Sequence, residues 1–147
     1  MGEEGAVAVA IGDGTRLVHL YYEKFLTTPG DLSVADDIMT SDVVFHNPIS
    51  KGGIHGIDEY KEFALRWYRG FPDRHFKVEE TVEEGSKVAA RFTISGTHKG
   101  EFAGAAPTGH RIEVHGMNIF RIANGRIKDV KAFFNPLELY SPLGVKL

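Results

Sequence analysis

Helical spacing in the first half of the chain, strict alternation in the second half and one Asn-Gly dipeptide between late apolar runs predict an α+β fold. Leu17, Leu20, Tyr21 and Phe25 recur at i, i+3, i+4 and i+8, the signature of one helix face. Val88, Ala90, Phe92 and Ile94 alternate with Ala89, Arg91, Thr93 and Ser95, the period of a strand with one buried side. Asn124-Gly125 separates the runs 112–122 and 126–134, and both positions of such a turn need positive φ, which Asn and Gly tolerate best. Three long antiparallel strands therefore close the chain, and the stretch Gly96–Arg121 that joins the first two is the segment around which the rest is organised.

Each element follows in order. Residues 1–13 are small, Gly-rich and acidic and read as a disordered leader, leaving 14–147 as a single domain. The first helix starts near Asp13-Gly14-Thr15 and stops by Thr28, because Pro29-Gly30 cannot continue it. Residues 31–39 form a second short helix with Leu32, Ala35, Ile38 and Met39 inward. Val43-Val44-Phe45-His46 is a short strand stopped by Asn47-Pro48, and 49–56 is loop. A third helix begins at Gly56, with Asp58 and Glu59 near its positive end and an apolar stripe of Tyr60, Phe63, Ala64, Trp67 and Tyr68; Phe71-Pro72-Asp73 ends it. From Arg74 the period becomes two, and Glu84-Gly85-Ser86 turns the chain into the strand carrying Val88.

Composition removes several classes of function. The chain has 147 residues, enough for one domain with a sizeable core, and a net charge of −3, which argues against a nucleic-acid surface. It has no cysteine, so disulfides and thiolate metal sites are excluded. No apolar run approaches the ~20 residues of a membrane span. Ala6–Ile11 is apolar but follows Glu3-Glu4 rather than a basic region, so a cytoplasmic protein is the default reading.

The order of elements resembles the NTF2-like cone, a curved antiparallel sheet wrapped around three helices. Phe71-Pro72-Asp73, Gly96-Thr97-His98-Lys99-Gly100-Glu101-Phe102, Pro107-Thr108-Gly109, Ile119-Phe120-Arg121 and Asn124-Gly125-Arg126-Ile127 follow the pattern of SnoaL-like polyketide cyclases, as does His46-Asn47-Pro48 at the exit of the first strand. The resemblance covers about residues 15–144. It implies a deep apolar pocket, a homodimer formed through the outer sheet face, and ring closure by intramolecular aldol chemistry without metal or cofactor. It also implies acids in the last strand and the strand before it. The matching positions here are Asn135 and Asn118, which can orient a carbonyl or an enolate but cannot act as base.

The remaining candidates come from the residues themselves. Proton abstraction needs a base, and the oxyanion that results needs stabilising donors. His46, able to titrate near neutrality, is the first choice for acid–base work, and Lys131 shares a strand face with Phe133 and Asn135. A desolvated Lys131 could serve as base or carbonyl-binding amine; the alternative is a solvated lysine paired with Asp129. His115 shares a face with Glu113 and Met117, which places it outside, and His98 and His110 fall in an exposed Gly-rich loop. Tyr21, Trp67, Phe71, Phe92 and Phe133 are the candidate pocket wall. Val130, Ala132 and Phe134 form a second apolar face, which a partner subunit would cover. The chain then reads as a binder of a small apolar carbonyl compound, either a cofactor-independent cyclase or isomerase, or a non-catalytic ligand-binding or dimerisation module favoured by the two asparagines.

Overall fold

A computed structural model describes residues 12–49 and 51–146. Residues 1–11 of the expected leader lie outside the described residues, and Asp13 opens the first helix. Helix α1 (Asp13–Leu20) runs directly into a π-helical segment, Tyr21–Leu26, closed by a bond from Thr27 N to Tyr22 O of 2.9 Å. There follow α2 (Val34–Ile38), β1 (Met39–His46), β2 (Ile54–His55), α3 (Ile57–Gly70), β3 (His75–Glu84), β4 (Lys87–Thr97), β5 (Arg111–Ala123), β6 (Arg126–Phe134), α4 (Pro136–Tyr140) and a 3-10 turn, Ser141–Leu143.

Three departures from the sequence reading have local causes. The second helix is shorter than expected, because Met39 onward is extended and β1 pairs with β6. The expected loop 49–56 contains β2, which pairs with β1 through Val44–His55 and Phe45–Ile54. A fourth helix follows the last strand: the Asn135 side chain accepts a hydrogen bond from Leu137 N at 3.0 Å, and Pro136 occupies the first turn, where a missing N–H costs nothing.

The six strands form one sheet in the order β2-β1-β6-β5-β4-β3, antiparallel throughout except where β1 runs parallel to β6. Register shifts interrupt the β1–β6, β3–β4 and β5–β6 pairings. Irregularities of this kind bend and twist a sheet, so it curls around the helices laid on its inner side. Val88, Ala90, Phe92 and Ile94 are all buried on that side, as the alternation required. Strand β5 alternates equally cleanly, with Ile112, Val114, Asn118 and Phe120 buried and Glu113, His115, Met117, Ile119 and Arg121 outward.

The β5–β6 hairpin decides which residues face the interior. Its turn has positive φ at Asn124 (51°) and Gly125 (75°), as the dipeptide demanded. Pairing is regular for Ala123–Arg126 and Ile122–Ile127, but Arg121 then faces Asp129 rather than Lys128. That one-residue slip sets Asn118 opposite Ala132 and Phe120 opposite Val130. Because side chains alternate, a slip of one residue turns every later side chain to the other face. Val130, Ala132 and Phe134 therefore point inward, and Lys131 and Phe133 point outward. This corrects both expectations for the last strand, that Lys131, Phe133 and Asn135 face a pocket and that Val130, Ala132 and Phe134 face a partner.

One charged side chain is part of the packing. Arg74, 2% exposed, donates from Nε to Leu26 O (2.6 Å) and from Nη2 to Pro29 O (3.0 Å), with its guanidinium 3.8 Å from the Tyr68 ring centre. It ties the end of the π segment to the start of β3.

Candidate functional site: an apolar cavity with two unpartnered polar groups

Between the inner sheet face and the helices lies a cavity of about 360 Å³. It has room for about 12 waters at liquid density and falls at the lower end of ordinary ligand pockets. Its floor is Tyr21, Tyr22, Phe92, Val114, Asn118 and Ala132, and α3 supplies Phe63, Arg66 and Trp67 as one wall. Asn47, Ile49, Ala103 and Tyr140 also line it. Gly116 keeps the floor open: a Cβ there would stand 2.6 Å from the Phe92 ring and 3.0 Å from Phe134 Cβ.

The π segment explains why two adjacent tyrosines both reach the interior. In an α-helix neighbours diverge by about 100°, whereas the wider π turn admits an extra residue. Tyr21, Tyr22, Phe25 and Leu26 are consequently all buried. Their hydroxyls have different fates. Tyr21 meets the Tyr60 hydroxyl at 2.6 Å. Tyr22 O–H has no hydrogen-bond partner, and neither has Asn118 Oδ1, both atoms being buried. Burial pushes the Tyr22 phenol well above its usual range, reinforced by neighbouring Tyr21; the nearby Asn118 amide opposes the shift, yet the two make no hydrogen bond of ordinary geometry. Tyr22 therefore stays protonated, a donor without an acceptor. A buried polar group left unsatisfied costs about 1–3 kcal/mol, which is the reason to read this pair as waiting for a ligand.

The candidates from sequence divide sharply. Asn118, Tyr21, Trp67 and Phe92 line the cavity. Phe71 is buried beside Trp67 (ring centres 5.3 Å apart) and Phe102 (5.0 Å), in the layer behind the wall rather than on it. His46 lies on the outer sheet face, with a side chain 51% exposed and Nε2 3.3 Å from Asp129 Oδ1; it cannot reach the cavity because Phe45 and Val43 take the inward positions of β1. Lys131 and Phe133 are exposed for the register reason given above, and Asn135 is spent as the cap of α4. Asp129 is approached by His46 and by Arg121 (3.7 Å), not by Lys131. Arg91 is exposed and pairs with Glu80 at 2.7 Å.

Among the histidines, His115 is outside, bonded to Glu138 (3.2 Å) and Glu113 (3.1 Å). His110 is exposed and donates to Pro142 O. His98, expected in solvent, is fully buried: Nδ1 accepts from Thr108 N at 3.2 Å, and the ring lies against Phe71 at 5.6 Å. The Gly-rich loop folds onto the protein instead of into water. Among the described residues no three His, Asp or Glu side chains converge as metal ligands would, and no helix is long and apolar enough to cross a membrane. Tyr22 and Arg66 were missed as site residues. For Tyr22 the readable signal was the pair of doublets Tyr21-Tyr22 and Phe25-Leu26, which widen the apolar stripe of the helix to include it.

A curved sheet closed by helices over a largely apolar cavity defines a cone of the NTF2-like type. Residues 16–143 match the family described as SnoaL-like polyketide cyclase, and this chain belongs to that family. It is 30% identical over 101 residues to aklanonic acid methyl ester cyclase DnrD of Streptomyces peucetius, a match spanning 67% of this chain and 66% of DnrD. DauD of Streptomyces sp. (strain C5), also an aklanonic acid methyl ester cyclase, is 29% identical over 101 residues, 67% of this chain and 60% of DauD. The chain thus spans slightly under two thirds of these relatives. A solved structure from Jannaschia sp. CCS1, assigned to the SnoaL-like polyketide cyclases, superposes with a TM-score of 0.83 at 20% identity, covering 92% of this chain and 94% of that one. IdmH of Streptomyces antibioticus, assigned as a polyketide cyclase, gives 0.76 at 28% identity, covering 91% and 100%.

Proposed function

We propose that the cavity binds a small, largely apolar carbonyl compound and promotes its ring closure or isomerisation, with Tyr22 O–H donating to the carbonyl oxygen and Asn118 Oδ1 accepting from an enol O–H of the same compound. The observation that carries this reading is the pair of buried, unpartnered atoms Tyr22 Oη and Asn118 Oδ1 in a largely apolar cavity. The cyclases named above favour the same chemistry.

The cavity lining among the described residues contains no His, Asp, Glu or Lys. The acid–base role reserved for His46 is therefore replaced by carbonyl polarisation. A substrate whose carbon nucleophile already exists as an enol needs no side-chain base. Its carbon attacks the carbonyl carbon, a C–C bond forms, and the C=O π pair moves to oxygen. Tyr22 O–H donates to that developing charge, while Asn118 Oδ1 accepts from the enol O–H and orients it. The proton lost from the enol O–H is the one the new alkoxide finally carries, so the step balances without a co-reactant.

The test uses Trp67, the chain's single tryptophan, which lines the cavity. Quenching of its fluorescence should report about tenfold tighter binding of 9-fluorenone than of fluorene, the same frame without the oxygen. Tyr22→Phe with Asn118→Leu should erase the preference. Equal affinities for the two probes in the native protein would defeat the proposal. Binding without any acceleration of ring closure in a dicarbonyl substrate would favour the second reading, a non-catalytic ligand-binding module, which the lack of a cavity base also suits.

The outer face supports a homodimer. Met117 (42% exposed), Ile119 (36%) and Phe133 (55%) lie there, Met117 directly opposite Phe133. Exposed apolar side chains in one cross-strand cluster are the mark of an interface.

A further inference from the structure

We propose that the ligand carries a carboxylate and that Arg66 at the mouth of the cavity receives it; this rests on the cavity being a ligand site, as argued above. Arg66 is the single charged side chain in the lining among the described residues. It is exposed to solvent while contributing to the wall, which places it at the opening. It makes no ion pair or hydrogen bond among the described residues, unlike Arg74, Arg91, Arg111 and Arg121, each of which engages another residue.

The second wall of the opening is Tyr140 on α4. Burial pushes its phenol above the usual range, and the Arg66 charge opposes that shift, so the two groups feel each other across the mouth. A guanidinium offers five donors, no acceptor and a fixed positive charge, and the neutral phenol beside it can add an O–H donor. The complementary group is an anion, and the planar fork of Arg fits a carboxylate with two parallel hydrogen bonds. Asn47 and Ile49 complete the rim without adding negative charge.

The geometry assigns polarity to the ligand along its length. The acid end sits at Arg66, the apolar frame lies against Trp67, Phe92 and Val114, and the carbonyl end meets Tyr22 and Asn118. The protein's net charge of −3 disfavours acids in general, so a cation in the cavity lining selects as well as binds. The ligand class that follows is an apolar keto acid.

Three isosteric probes test it: a 9-fluorenone carboxylate, its carboxamide and its methyl ester, with the acid tried at each ring position. Trp67 quenching should show the best-placed carboxylate about tenfold tighter than its amide and ester. Arg66→Gln should remove the difference, with the acid losing far more affinity than the amide. Arg66→Lys should retain part of it, and raising salt from 0.05 to 0.5 M should weaken only the acid. Arg66→Glu should invert the ranking toward an amine of the same frame. If all three probes bind equally, or Arg66→Gln leaves the preference intact, the assignment of Arg66 is wrong while the cavity reading stands. If none quenches Trp67 at any concentration, the cavity reading fails and this inference with it. Arg66 is exposed, so its variants should melt with the native protein, and a circular-dichroism scan separates lost recognition from lost fold.

Discussion

The two faces of the hairpin β5–β6 share one set of backbone hydrogen bonds and carry opposite chemistry. Inward stand Val114, Asn118, Phe120, Val130 and Ala132, with a single amide for polarity. Outward stand Glu113, His115, Arg121, Asp129 and Lys131, interleaved with Met117, Ile119 and Phe133. The groups able to move protons near neutrality are on the outside, and the cavity side is apolar and hydrogen-bonding only. The chemistry proposed for the cavity therefore rests on dipoles and a protonated phenol, and the outer charges belong to the face proposed for dimerisation. The contrast also shows how a titratable residue can be conspicuous in sequence and distant from the site by the thickness of one sheet.

The faces should separate first in stability. Phe120 is fully buried, with ring centres 5.1 Å from Tyr21 and 5.8 Å from Tyr22. Phe120→Ala should lose about 3–5 kcal/mol in urea unfolding. Phe133→Ser, one face away, should change monomer stability by no more than about 0.5 kcal/mol while shifting the light-scattering mass of the native protein toward one subunit. A Phe120→Ala loss below about 1 kcal/mol would mean that the inner face is not close-packed, and the contrast would dissolve.

A smaller effect comes from giving the inner face the acid it lacks. In Asn118→Asp the new carboxyl sits in an apolar, buried place, so its folded pKa rises above the unfolded value near 3.9. The folded state then holds a proton that the unfolded state has released. Relative to the native chain, stability is retained below the unfolded pKa and lost as pH climbs through the folded one. Urea midpoints at pH 4 and pH 8 should therefore diverge, with about 1–3 kcal/mol lost at the higher pH. Asn118→Leu should show no such slope. His46→Ala and Lys131→Ala, both on the outer face, should leave fluorenone binding within about twofold, close to the scatter expected of surface changes. A tenfold loss in either would return that residue to the site.

How far the fold was legible follows from the same hairpin. The strands, the Asn124-Gly125 turn and the buried set Val88, Ala90, Phe92 and Ile94 were readable, because alternation and turn chemistry are local signals. The bulge at Lys128 was not, since nothing in Arg126–Asp129 announces an extra residue, and one slipped position reversed the placement of Lys131, Phe133 and Asn135. The resemblance pointed to Asn118 and Asn135 alike, but only Asn118 keeps the inward register. Tyr22 was hidden by assuming 3.6 residues per turn where the helix widens. Phe71 and His98 show a third limit: a loop rich in Gly reads as exposed, yet Gly also lets backbone approach closely, and this loop packs its histidine under Phe71.

The smallest prediction concerns the outer charges. Glu138 accepts from His115 N at 3.0 Å and from its ring at 3.2 Å, tying α4 to β5. The hydrogen bond to Glu138 raises the His115 pKa, and the His115 backbone N–H lowers that of Glu138. The Glu138 contribution is present above its unfolded pKa near 4.3 and lost as pH falls through its lowered folded value. The His115 contribution is complete below its unfolded pKa near 6.5 and lost as pH rises through its raised folded value. Both are fully engaged only between these limits, and exposure keeps the gain slight. In Glu138→Gln the His115 ring protons should titrate at lower pH by NMR, and added salt should have the same direction of effect in the native chain. An unchanged His115 titration in Glu138→Gln would show that the contact does not persist in solution, and that α4 is held to the sheet by Leu139 and its neighbours alone.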